Sequence, residues 1–265
     1  MSSRSKKWVI LLFLMSLLLS LAVNIPIRQV LRYVQIPDKI QLQGLNGSFI
    51  KASIDRVSYQ GYELTGVDIE LAPVCLLHLS VCYGIKSDDY ELDALVNAGV
   101  LTQSLSLKES KVVFDESIFD SNTQLLVKPK GEFAISIEDV TFQDEYFSNI
   151  KLTVNWVDAG IQGEKQILGN YIADVTSEES GLLINLKDQN SLLSATGSIS
   201  LNGKGEYSTK ISLGSKQGLN PSIKNAIGLF AKQNGLDRYT FNKKGKLPAN
   251  SSGFLKHLKT EGSGA

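Results

Sequence analysis

From Trp8 to Ile27 the chain carries no charged side chain, a run of 20 residues rich in Leu. That is about the length needed to cross a bilayer as a helix. No polar face interrupts it, which argues against a core helix of a globular domain. After Lys39 the pattern changes to alternation. Lys39–Gly44 alternates apolar and polar side chains, and two further strand-like stretches follow at Ile54–Tyr59 and Leu64–Leu71. In the last of these Val67, Ile69 and Leu71 point one way, and Asp68 and Glu70 point the other. The same period of two recurs at Phe133, Ile135 and Ile137, and at Ile150, Leu152, Val154 and Trp156. Such alternation predicts antiparallel strands with one dry and one wet face. Ala195, Gly197, Ile199 and Leu201 lead into Asn202-Gly203, and Tyr207, Thr209, Ile211 and Leu213 lead out. Asn-Gly adopts positive φ at low cost, so a tight hairpin turn is expected there.

One stretch has the helical period instead. Asn220 is placed to cap, Pro221 to open the first turn, and Gly235 to stop the helix. Ile223, Ala226, Ile227, Phe230 and Ala231 then form one apolar stripe. The opposite face, with Lys224, Asn225 and Lys232, has too few cations for a lipid surface. The stripe therefore reads as a core-facing helix on the sheet. The predicted fold class is mainly β. A single N-terminal transmembrane helix precedes a folded-over antiparallel β-sheet, or open β-roll, with one C-terminal amphipathic helix. The expected layout is a basic cytoplasmic tail (1–7), the span (8–27), a linker (28–38), a β-rich periplasmic domain (39–249) and a flexible tail (250–265), loose or only partly docked.

Charge orients the span. Arg4, Lys6 and Lys7 precede the run, which places the N-terminus in the cytoplasm and the bulk outside. Trp8 stands at the interface, and Leu12, Phe13, Leu17 and Leu21 fill the anchor. A cleaved signal peptide is the alternative, since Ser20-Leu21-Ala22 offers small residues for a signal peptidase. Either way the residues after Asn24 lie outside the cytoplasmic membrane. The whole chain balances 27 basic against 27 acidic residues. That gives no clustered cationic surface of the kind nucleic acid requires.

Cys75 and Cys82 are the two cysteines. An oxidising compartment favours a bridge between them. On a continuous helix, residues seven apart lie about 10.5 Å apart along the axis. A disulfide tolerates about 7 Å between Cα atoms, so the chain must reverse between them. Pro73 can open a short helical turn there, after which Cys82 begins the next strand. Two buried free thiols are the other reading. No metal site is expected, because the two Cys and one His of this stretch fall short of four structural ligands and their spacing fits no zinc pattern. The acidic cluster Asp88, Asp89, Glu91 and Asp93 lacks the spacing of a calcium loop. No nucleophile, phosphate-binding or metalloprotease motif is present, so neither an enzyme nor a cofactor is expected.

Several features in order carry a resemblance. A basic N-terminus and single span lead to Ile25-Pro26-Ile27-Arg28, then to Gln43-Gly-Leu-Asn-Gly-Ser-Phe49. A strand pair ends in Glu70-Leu71-Ala72-Pro73, followed by the Leu-rich turn Leu76–Leu79. Late in the chain come the Gly197–Gly205 hairpin, the amphipathic helix and Gly235–Tyr239. This layout resembles the type II secretion system protein N family, and its strand grammar resembles AsmA-type envelope proteins. The resemblance implies a bacterial inner-membrane, single-pass protein with its bulk in the periplasm. It implies an accessory role in exporting folded proteins through contacts with other secretion components of the inner membrane and periplasm. The alternative it implies is a lipid-handling protein with an apolar β-groove.

Overall fold

The alternating stretches form antiparallel strands. The computed structural model describes residues 8, 10, 12–14, 16–17, 20, 24–31, 40–59, 62–87, 89–99, 102–119, 127–144, 146–178, 181–215, 220–247 and 257–258. The chain divides into two units, Met1–Asp93 and Ala94–Ala265, with strand β6 (Leu92–Gly99) running through the division.

In the first unit β1 (Ile40–Gln43), β3 (Lys51–Tyr59), β4 (Tyr62–Ala72) and β5 (Ser80–Ser87) pair in that order, and the short β2 (Asn46–Gly47) also pairs with β3. Val67 is buried with Ala52, Ile54 and Cys82, while Asp68 and Glu70 are exposed. The alternation thus sorts the two faces as expected. The stretch read as a linker opens with a short helix, α1 (Ile27–Leu31). It is tied to the sheet: the Phe49 amide donates to the Ile25 carbonyl at 3.0 Å, and Arg28 Nε donates to the Leu45 carbonyl at 2.8 Å. Gly47 makes this docking turn at φ +100°, where an added Cβ would meet the Lys51 carbonyl.

The second unit orders its strands β7-β8-β9-β10-β11-β12-β13-β15-β14. These are β7 (Ser104–Phe114), β8 (Pro129–Gln143), β9 (Tyr146–Ile161), β10 (Gly169–Glu178), β11 (Gly181–Gln189), β12 (Leu193–Asn202), β13 (Glu206–Ser215), β14 (Lys232–Gln233) and β15 (Arg238–Lys246). The sheet is antiparallel and open. Register aligns one apolar row across eight strands: Val112, Ile135, Val154, Ala173, Leu186, Gly197, Ile211 and Phe241. A second row runs Ile137, Leu152, Val175, Ile184, Ile199, Thr209 and Lys243. All eight residues of the first row are half-buried. Full burial is found at the two ends of this face. One end holds Ala159, Leu168, Tyr171, Leu193, Ala195 and Ile223, and the other Ile150, Leu182 and Leu258.

Two expectations change in detail. The β12–β13 turn places positive φ on Gly205 (+78°) rather than on Asn202 or Gly203. The Asn202 side chain explains this: its Oδ1 accepts the Lys204 and Glu206 amides, which builds a three-residue loop with its left-handed residue last. The C-terminal helix α2 spans Pro221–Gly228 and stops well before Gly235. Gly228 is a poor helix former, and beyond it Lys232–Gln233 pairs with β15 instead. In the stretch expected to be loose or only partly docked, His257 and Leu258 are described and packed. Leu258 is 2% exposed, and the Phe147 amide donates to the His257 carbonyl at 2.7 Å. With Phe254, Leu255 and Leu258 as its few large apolar residues, the stretch is too short and polar to give a clear periodic signal of such docking.

Candidate functional site: an apolar cleft beneath the C-terminal helix

Helix α2 is held over the sheet from its N-terminus. Asn220 Oδ1 accepts the Ser222 amide at 3.1 Å, and the Asn220 amide donates to Gln166 Oε1 at 3.1 Å. The cap thus starts the helix and ties it to the loop before β10. Midway along the helix Lys224 Nζ lies 2.6 Å from Asp237, a contact that raises the lysine pKa. The apolar stripe then faces inward. Ile223 is 1% exposed, and Ala226 and Ile227 are half-buried. Phe230 lies in the turn beyond the helix and is 49% exposed.

A cleft of about 430 Å³ remains between this stripe and the sheet. Its walls are Val127, Trp156, Ile161, Leu168, Tyr171, Leu186, Leu193, Ala195, Ile211, Leu213, Ala226, Ile227, Phe230, Ala231 and Phe241. Two of these side chains carry a polar group, and neither offers it to the cleft. Trp156 Nε1 donates to the Lys130 carbonyl at 2.9 Å, and the Tyr171 hydroxyl donates to the Leu193 carbonyl at 2.7 Å. Burial pushes the Tyr171 phenol up to about 12. The aromatic wall continues outward as a cross-strand ladder. Trp156 stacks on Phe133 at 5.3 Å, and Phe133 stacks on Phe114 at 5.4 Å. A volume of this size suits a small apolar ligand. Among the described residues its lining offers no nucleophile, no acid–base pair and no metal ligand. Among the described residues no group of three or more His, Cys, Asp or Glu could hold a metal.

The sequence-predicted stripe supplies Ala226, Ile227 and Phe230 to the cleft, while Ile223 sits in the core beside it. Of the sheet half of the lining, the sequence pattern picks out Trp156, Ala195, Ile211 and Leu213 as alternating strand positions, but not as parts of one site. Tyr171, Leu186, Leu213 and Phe241 come from four strands, and only the register brings them together.

The cysteines lie elsewhere, in the first unit. Cys75 and Cys82 form a disulfide, with Cα atoms 5.8 Å apart. Pro73 opens a 3-10 turn over Pro73–His78, and Leu79 at φ 54° reverses the chain into β5. That turn exposes Val74, Leu76 and Leu79. Of the acidic cluster, Asp89 accepts the hydroxyl and amide of Thr65, which hold its carboxyl below the usual range, and Asp93 pairs with Lys86 at 3.2 Å. Asp88 lies outside the described residues. Near the N-terminus Trp8, Leu12, Phe13 and Leu17 are helical and exposed, and Leu21 lies outside the described residues. Among the described residues no helix is long and apolar enough to cross a membrane.

Comparison with known proteins gives this arrangement its family. The family model for type II secretion system protein N matches residues 38–242. The chain belongs to that family. A curated type II secretion system protein N from Vibrio cholerae serotype O1 is 21% identical over 245 residues, covering 89% of this chain and 97% of that protein. No solved structure matches. The matched region takes in both units, from the approach to β1 into β15. Type II secretion protein N is a secretion accessory and is not known as an enzyme family.

Proposed function

We propose that this chain is an inner-membrane-anchored periplasmic accessory of type II secretion, which assists export of folded proteins through contacts with other components of the machinery. The observation that carries this reading is the family match over residues 38–242. The anchor is residues 8–27, supported by the uncharged run, by the cations at Arg4, Lys6 and Lys7, and by the exposed apolar side chains of Trp8, Leu12, Phe13 and Leu17. The Cys75–Cys82 bridge suits the oxidising compartment that this topology gives to the rest of the chain. The disulfide-fastened turn, with Val74, Leu76 and Leu79 exposed, is the first surface to examine for a protein contact. Deleting the gene tests the role. Normally exported enzymes are then expected to accumulate in the periplasm while the outer membrane keeps its resistance to detergent. Unchanged export would contradict the reading.

A further inference from the structure

The lining of the cleft beneath α2 restricts its ligand. Its indole N–H and phenol already donate to backbone carbonyls, so a peptide or sugar would enter without hydrogen-bond partners. A hydrocarbon chain loses nothing there, and each buried methylene gains roughly fourfold in affinity. The rim adds charge. Phe241 lines the cleft, and the next residue on the same face of β15 is Lys243, which is exposed. The segment beyond α2, whose Phe230 lines the cleft, exposes Leu229, Phe230 and Leu236, the last at 93%. Such exposed apolar side chains suit contact with a bilayer surface, and Lys243 supplies the cation that would favour an anionic headgroup.

We propose that the cleft beneath α2 takes one acyl chain of an anionic lipid from the bilayer, with the headgroup held at the rim by Lys243. This goes beyond the secretion role and does not rest on it. The test uses the full chain in phosphatidylcholine vesicles containing a minor fraction of phosphatidylglycerol with a diazirine in its acyl chain. After irradiation, labelled peptides are mapped by mass spectrometry. Labels are expected on α2 and on β11–β13, in addition to residues 8–27. Ala226→Trp fills the cleft and is expected to lose the α2 and sheet labels while keeping those at 8–27. Lys243→Glu changes an exposed side chain and leaves the fold intact, as its thermal unfolding will show. It is expected to lower labelling by diazirine phosphatidylglycerol to the level given by diazirine phosphatidylcholine. Labels confined to residues 8–27 would overturn the proposal and leave the cleft to a protein segment. Equal labelling by the two lipids in the unsubstituted chain would overturn the headgroup contact. Stronger labelling by free diazirine palmitate than by the phospholipid would overturn the bilayer source.

Discussion

Ile223 is the side chain on which the docking of α2 depends most. It is 1% exposed and packs among Ala159, Leu168, Tyr171, Leu193 and Ala195. Ile223→Ala removes three buried carbons, each contributing about 0.8 kcal/mol of transfer free energy. It also leaves a cavity that the rigid sheet below cannot fill. The expected loss is therefore about 3–4 kcal/mol, within the range for such truncations. Phe230→Ala is the internal control. Phe230 is the larger side chain but is 49% exposed, so its removal should cost about 1 kcal/mol. Burial, not size, sets the order. The chain has two tryptophans, and Trp156 forms part of the cleft wall. In a Trp8→Phe background, Trp156 fluorescence during urea unfolding reports on this region directly. A downward shift of the midpoint for Ile223→Ala, much larger than for Phe230→Ala, is expected. Equal shifts, or a larger one for Phe230→Ala, would refute the placement of the stripe.

Cys82→Ser opens an eight-residue loop and should lower the stability of the first unit by about 2–3 kcal/mol in the chain-entropy account, with non-reducing peptide mapping of the unsubstituted chain showing the Cys75–Cys82 link. Tyr171 has a raised folded-state pKa, so the stability it contributes is complete below pH 10 and is lost as pH rises from 10 to about 12. Tyr171→Phe should remove that part of the alkaline loss, read as the difference between the two pH–stability curves, and identical curves would refute it. Leu258→Asp places a charge at a 2%-exposed position and should release the C-terminal stretch to protease, whereas unchanged resistance would show that Leu258 is not docked.

The strands of both units were legible where one face is dry and one wet. Val67, Ile69 and Leu71 against Asp68 and Glu70 are such a case, and so is the Ile150–Trp156 run. The reversal between the cysteines was legible as well, because Pro73 and the spacing left few ways to close a bridge. Strand β7 was not, because its inward positions include serines. Ser106 and Ser110 are buried, and Ser110 Oγ accepts the Leu95 amide while donating to the Lys108 carbonyl. A local hydrogen-bond network there does what apolar alternation does elsewhere. The helix end was misplaced because β14 competes for residues that carry a helical pattern. The cleft was half legible. Its helical side shows in the stripe, but its sheet side depends on register between strands far apart in sequence, which no short window contains.

Export by a strain lacking the gene, complemented in trans, tests the central claim most directly. Two forms are supplied: the full chain, and residues 28–265 behind a cleavable signal peptide. The account predicts that exported enzymes are trapped in the periplasm without the gene. It predicts that the full chain returns them to the medium and the unanchored form does not. Normal export in the deletion strain, or full rescue by the unanchored form, would contradict it.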